Sequence, residues 1–245
     1  MRLPQQKSTG RHPQFYDESQ QLARAVLQLH PSDLQACMKI SKKIADKTYT
    51  QFERIVKSDT GMPAIDAFLG DIYSGLQVQS LTESDRSYAD KHLRILSGLY
   101  GILRPLDFVQ PYRLEMAYKL PSLRRSLYDF WGDTLAKTIP QNEIIINVSS
   151  VEYTKTILPY VNNVVITPKF LTRNDSGVPT FVTVHAKIAR GAFAHWMITR
   201  RIESIEMLKN FNELGYYYDD NLSTELEPTF VCDAFGGLGL SVRLS

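Results

Sequence analysis

The hydrophobic period of this chain changes near its middle, and that change limits the folds open to it. In the first half apolar residues recur at helical spacing. Leu22, Val26 and Leu29 mark a helix that Pro31 stops. Ser32 or Asp33 can cap a second helix carrying Leu34, Met38, Ile40, Ile44 and Tyr49. Residues 57–63 read as a loop, a helix follows Thr82–Glu83 through Tyr88, Leu93 and Leu96, and an amphipathic helix is predicted over 122–138. The second half holds β-branched runs of strand length: EIIINV (143–148), NVVIT (163–167) and TFVTVH (180–185). TKTILPY and KFLTRNDSGVP separate them, with a hairpin turn at Asp175-Ser-Gly177, and helices follow over 186–202 and 203–210. There is no repeat and no linker at which to cut the chain. Helices feeding strands predict a mixed α/β (α+β) single domain over 1–245, with residues 1–15 irregular and 221–245 a tail.

Composition excludes more than it identifies. With 43% apolar and 22% charged residues among 245, the chain is globular in type. Cys37 and Cys232 lie too far apart for a disulfide scaffold or a Cys-based zinc module, and they suit a reducing cytoplasm. No apolar run approaches the roughly 20 residues of a membrane span, and the N-terminus carries no signal-peptide core, so no membrane partner is expected. The five histidines are scattered without ligand spacing, and no GxxxxGK[ST], GxSxG, HExxH or CxxC motif occurs. Neither a metal nor a cofactor is therefore expected.

A net charge of +2 hides an asymmetry. Residues 86–125 hold Arg86, Lys91, Arg94, Arg104, Arg113, Lys119, Arg124 and Arg125 against Asp90, Asp107 and Glu115. Residues 185–201 hold Lys187, Arg190, Arg200 and Arg201 and no acid, whereas 203–233 hold eight acids and one base. If the two basic blocks meet, they form an anion-attracting surface; otherwise they are solvated faces.

Three stretches concentrate reactive groups. In HLRILSGLYGILRPLD (92–107), Gly98 and Gly101 allow a tight turn. Such a turn either packs between two elements or offers amides to a phosphate, as helix–hairpin–helix elements do. In QPYRLEM (110–116), Tyr112, Arg113 and Glu115 lie within four residues; in an extended segment Arg113 and Glu115 share a face and can pair. In AKIARGAFAHW (186–196), Lys187 and Arg190 project to one side of a helix. Gly191 inside that helix costs about 1 kcal/mol against Ala, which implies close packing or close ligand approach. His195 reads more readily as a surface or core histidine than as a catalytic group.

Taken in order, GDIYSGL (70–76), LRILSGLYGILRPLD (93–107), QPYRLEM (110–116), LYDFWGD (127–133), NVSSVEY (147–153), AKIARG (186–191) and FNELGYYYD (211–219) resemble the bacterial peroxide stress protein YaaA family. The resemblance implies a cytoplasmic protein of the hydrogen peroxide response that helps keep unincorporated iron low. It implies a mixed α/β fold with a central sheet, surrounding helices, a positively charged cleft and a helix–hairpin–helix-like element. It also implies binding to double-stranded DNA, with no established reaction. Arg104, Tyr112, Arg113, Lys187 and Arg190 match the family's motifs and become cleft candidates; Arg94, Gly98 and Gly101 join them from the residue reading. The alternative is an enzyme holding a nucleotide or phosphate ligand in the same cleft, with Tyr112 or Glu115 moving a proton.

The chain also departs from the family. Members begin with an apolar strand ending in Ser-Pro-Ala-Lys, and this sequence starts just beyond it. Ser149, Val151, Ala117 and His195 stand where members usually carry Ala, Asn or Asp, Gly, and often Arg. The ending DAFGGLGLSVRLS differs from the usual short basic one.

Overall fold

Helices dominate the chain up to His92, and short strands and turns dominate much of the rest. The computed structural model describes residues 1–2, 10–123 and 125–237. Part of the irregular N-terminus, Arg124 and the end of the tail therefore lie outside the described residues. In chain order come α1 (Tyr16–Leu27), α2 (Pro31–Met38), α3 (Lys42–Lys57), β1 (Met62–Pro63), α4 (Ala64–Ala67) and α5 (Asp71–Leu76). Next are α6 (Glu83–His92), β2 (Ile95–Ser97), β3 (Gly101–Leu103), β4 (Phe108–Val109), α7 (Leu127–Trp131), β5 (Ile145–Ile146) and α8 (Val151–Thr154). The last are β6 (Val165–Ile166), β7 (Lys169–Arg173), β8 (Pro179–Thr180), α9 (Thr183–Arg200), β9 (Tyr216–Tyr218) and β10 (Thr229–Cys232).

The mixed α/β class agrees with the reading of the sequence. The chain forms two compact units, each built from three separate segments. The first takes residues 1–68, 90–140 and 150–161; the second takes 69–89, 141–149 and 162–245. No single linker divides units interleaved in this way, which is why linker composition gave no sign of them.

Several element boundaries moved for identifiable reasons. Pro31 opens α2 rather than only closing α1: at the first helical position its missing N–H costs nothing. The Asp33 carboxylate accepts the His30 amide at 3.0 Å. Lys39 adopts a left-handed conformation (φ 51°), and Ser41 caps a new helix by accepting the Ile44 amide, so the predicted second helix is two. The predicted helix over 122–138 is broken: α7 is closed by Gly132 at φ 48° and short 3-10 turns flank it. Only Thr180 of TFVTVH lies in a strand, at the end of β8, and Thr183, Val184 and His185 form the first turn of α9. A 3-10 turn at Glu206–Asn210 replaces the helix over 203–210.

The helix–hairpin–helix-like element is corrected too. β2 and β3 form an antiparallel hairpin, with Ile95 opposite Leu103 and Ser97 opposite Gly101. Gly98 and Gly101 turn one strand into another, and no helix follows before the 3-10 turn at Pro121. Their backbones are packed. A Cβ on Gly98 would stand 2.4 Å from the Leu114 carbonyl oxygen, and one on Gly101 (φ 70°) would stand 2.6 Å from the Leu135 side chain.

The stretch after this hairpin is fastened by Asp90. Its Oδ1 accepts Arg11 Nη2 at 2.7 Å and the Leu106 amide at 2.9 Å. Its Oδ2 accepts Arg11 Nη1 at 2.9 Å and Arg104 Nη2 at 2.7 Å. Asp107 completes the network, accepting Arg11 Nε at 2.5 Å and the Arg104 amide at 2.7 Å. Both carboxylates are buried, while the arginines stay two-fifths exposed. Burial alone would raise the Asp90 carboxyl; the bidentate Arg11, the Leu106 amide and the Arg104 charge outweigh it and hold the pKa below the usual value.

The second unit is built on a four-stranded sheet, order β8-β7-β10-β9, with β7 and β10 parallel and the outer pairs antiparallel. The β7–β8 turn is the one marked by Asp175-Ser-Gly177: Gly177 donates to the Asn174 carbonyl at 2.8 Å. KFLTR, read as a separator, is the central strand β7. Phe170 and Phe230 stack at 5.4 Å, and with Phe193, Trp196, Phe211 and Tyr216 they form an aromatic core.

Helix α9 serves two partners at once. Ala186, Ala189, Phe193 and Trp196 enter the aromatic core. On another side, α9 crosses α5 at paired glycines. A Cβ on Gly191 would lie 1.8 Å from the Ile72 carbonyl oxygen, and one on Gly75 would lie 1.9 Å from that of Ile188. The helical glycine is thus explained by close packing.

Two predictions follow from these contacts. Gly191→Ala forces α5 off α9 and should cost about 3 kcal/mol, read as a lower urea midpoint at unchanged slope. Asp90→Asn leaves Arg104 without a carboxylate and Arg11 with Asp107 alone, and should cost about 2 kcal/mol, discounted for arginine exposure. Because the folded Asp90 pKa lies below the unfolded value near 4, that contribution is full above about pH 4 and disappears as pH falls further. The gap between wild type and Asp90→Asn in urea melts should therefore narrow in acid.

Candidate anion-binding residues

The two basic blocks differ in how much of their charge is already neutralised. Arg104 is committed to Asp90, to which it also donates Nε at 3.2 Å through the backbone carbonyl. Arg94 wraps the end of α6, donating to the Lys91 carbonyl at 3.0 Å and that of Leu93 at 2.8 Å. Arg113 lies 3.6 Å from Glu115 and donates to the Tyr118 hydroxyl at 3.1 Å. Exposure alternates along the segment, with Arg113 and Glu115 exposed and Leu114 and Met116 buried, so Arg113 and Glu115 share a face.

Tyr112 is buried with its neighbours. Its hydroxyl shares a 2.6 Å hydrogen bond with Ser97 Oγ, which also accepts the Tyr100 amide at 2.8 Å. The Tyr100 and Tyr112 rings meet edge-on at 5.4 Å. Burial pushes the Tyr112 phenol above its ordinary value despite the Ser97 bond, so it stays protonated at neutral pH. Gly98 and Gly101 are buried beside it, and Gly98 uses its carbonyl to accept Trp131 Nε1 at 3.2 Å. Arg94, Gly98, Gly101, Arg104, Tyr112 and Arg113 thus all belong to the first unit.

Lys187 and Arg190 belong to the second unit, on α9. Lys187 is exposed and Arg190 half-buried. Neither has an ion pair or hydrogen bond among the described residues. Burial lowers the Arg190 pKa from its ordinary value, the sign expected when no carboxylate offsets the lost water. Arg201, at the end of the same helix, is neutralised by Asp85 at 2.9 Å and lies 4.4 Å over the Tyr88 ring. His195 Nε2 is 2.9 Å from Ser80 Oγ, and burial lowers its pKa.

Arg11 is the participant that the sequence concealed. It sits in a stretch read as irregular and bonds partners 79 and 96 residues away. No spacing rule reaches that far. Asp90 and Asp107 were visible only as charges subtracted from a total. Among the described residues no group of three His, Cys, Asp or Glu could hold a metal, and no helix is long and apolar enough to cross a membrane.

Comparison with known proteins agrees with the motifs. The sequence model of a family described as peroxide stress protein YaaA matches residues 1–222. A UPF0246 protein of Salinispora tropica is 46% identical over 98% of this chain and 93% of its own length. That match takes in most of 221–245 as well. A UPF0246 protein of a Marinomonas species is 40% identical over 89% of this chain and 87% of its own. One from Shewanella baltica is 40% identical over 89% of each. A family match across nine-tenths of the sequence, with relatives this similar along their lengths, places the chain in the peroxide stress protein YaaA family.

Proposed function

We propose that this chain acts in the cytoplasmic response to peroxide by binding DNA through its phosphates, and so helps limit free iron and oxidative damage. The observation that carries the reading is Arg190. Among the described residues no carboxylate pairs with this half-buried guanidinium, an arrangement that is costly unless an anion completes it. Lys187, one turn earlier, adds a second uncommitted cation, and α9 contains no acid to compete. In the first unit, Arg104, Gly98, Gly101 and Tyr112 hold the structure that carries Arg113. Contacts to phosphates position a protein without reading sequence, so affinity should be similar for unrelated duplexes.

The test is fluorescence anisotropy of a labelled duplex titrated with the purified chain over a salt series. The expected outcome is a steep salt slope. Lys187→Ala and Arg190→Ala should each weaken binding to all sequences by roughly fivefold and reduce the slope by about one. Unchanged affinity in both variants would remove α9 from the interface. Displacement of the duplex by one particular mononucleotide would instead support a small phosphorylated ligand at the same cations.

A further inference from the structure

Ser80 and His195 are 115 residues apart in the chain and meet within the second unit. Ser80 Oγ lies 2.9 Å from His195 Nε2, the separation at which an imidazole can take a hydroxyl proton. Ser80 is exposed at the end of a 3-10 turn, Val78–Ser80, that follows α5, and His195 is half-buried on α9. From sequence His195 read as a surface or core histidine, because its partner comes from a distant segment.

A hydroxyl has one proton to donate. Two acceptors compete for that of Ser80: the Gln77 carbonyl at 2.8 Å and the imidazole. The Gln77 carbonyl also accepts the Ser80 amide at 2.9 Å, so it stays satisfied when the hydroxyl turns to His195. Burial lowers the His195 pKa, which leaves the ring neutral and able to accept at neutral pH.

Two carboxylates, Glu213 and Asp85, act on the ring, and each favours the imidazolium. Asp85 is committed to Arg201 at 2.9 Å and to the Thr82 hydroxyl at 2.6 Å. Glu213 has no ion pair among the described residues. A left-handed residue stands beside each end of the group: Gln77 (φ 46°) opens the turn that carries Ser80, and Leu214 (φ 59°) follows Glu213. Side chains of this size disfavour that conformation, and it persists where the surrounding structure holds it.

We propose that Ser80 is a nucleophile for acyl transfer from small activated esters, with His195 as its general base and Glu213 as a positioning residue that stabilises the imidazolium. Such a group is recognised by geometry and not by motif. Ser80 Oγ forms a bond to the ester carbonyl carbon and its proton passes to His195 Nε2. The carbon–oxygen bond to the leaving group then breaks, and the departing oxygen takes that proton from His195. Water attacks the acyl-serine and gives a proton to His195; Ser80 recovers it as the carboxylic acid leaves. Water is the one co-reactant, and nothing is oxidised or reduced. The inference is independent of the anion-binding reading and uses none of its residues.

The full chain is incubated with a fluorophosphonate, which reacts irreversibly with activated serines, and the adduct is located by peptide mass spectrometry. Release of p-nitrophenol from p-nitrophenyl acetate is followed in parallel. Ser80 should label faster than the other exposed serines, and Ser80→Ala should remove the initial burst of p-nitrophenol. His195→Gln should slow labelling about a hundredfold. In wild type the labelling rate should rise with pH as His195 loses its proton. Glu213→Gln should move that rise to lower pH, because it removes a carboxylate that favours the imidazolium. Labelling of Ser80 no faster than that of other exposed serines in the wild-type chain overturns the proposal. So does a wild-type rate in His195→Gln, or an unmoved pH profile in Glu213→Gln.

Discussion

The first unit depends on one buried carboxylate. Asp90 has four hydrogen-bond donors within 2.9 Å: two guanidinium nitrogens of Arg11, one of Arg104 and the amide of Leu106. These come from the start of the chain and from the turn after β3, so a single side chain ties together segments almost a hundred residues apart. Asp107 repeats the arrangement from inside that turn, where its own amide also donates to the Arg104 carbonyl at 3.0 Å. A buried acid is tolerated when its lone pairs are filled and a fixed cation is near. Here each arginine also keeps part of its guanidinium in water, which limits what the network loses in hydration. The Arg-Pro-Leu-Asp sequence is therefore a structural knot before it is anything else.

The second unit solves a different problem. Helix α9 must fill an aromatic core on one side and accept α5 on another. Phe193 and Trp196 supply volume where the sheet leaves room. Gly75 and Gly191 remove it where two backbones come within carbonyl contact. What remains of α9 after two faces are used is narrow, and Lys187 and Arg190 occupy it. Neither has an ion pair among the described residues, and no acid lies on the helix itself.

These two units show why some features were legible in the sequence and others were not. Local signals survived: the Ser-Gly turn of β7–β8, the face shared by Arg113 and Glu115, and the helix with a glycine that packing must justify. Each depends on neighbours within a few residues. Failures came where a distant contact overrode local pattern. TFVTVH has strand propensity, yet Thr183 to His185 wind into α9. KFLTR and the TFVC of β10 are central strands with little warning, because their partners are each other across 60 residues. The Gly98–Gly101 turn was visible as a turn. Whether its amides face a ligand or a packed interior depended on Leu114 and Leu135, which no local rule connects to it.

Charge is where the distinction matters most for function. Counting by segment made residues 86–125 look like the stronger anion site, with eight basic residues against three acids. Counting by contact reverses the order. Arg104 has spent its charge on Asp90, Arg113 faces Glu115, and the Arg11 that answers Asp107 was never in the segment. In the shorter block Arg201 is paired, while Lys187 and Arg190 have no ion pair among the described residues. An anion gains most from a cation that is partly desolvated and has no competing carboxylate, because each ångström of lost water strengthens the remaining attraction. By that criterion Arg190 outweighs Arg104 and Arg113, and unpaired charge ranks the two blocks differently from net charge.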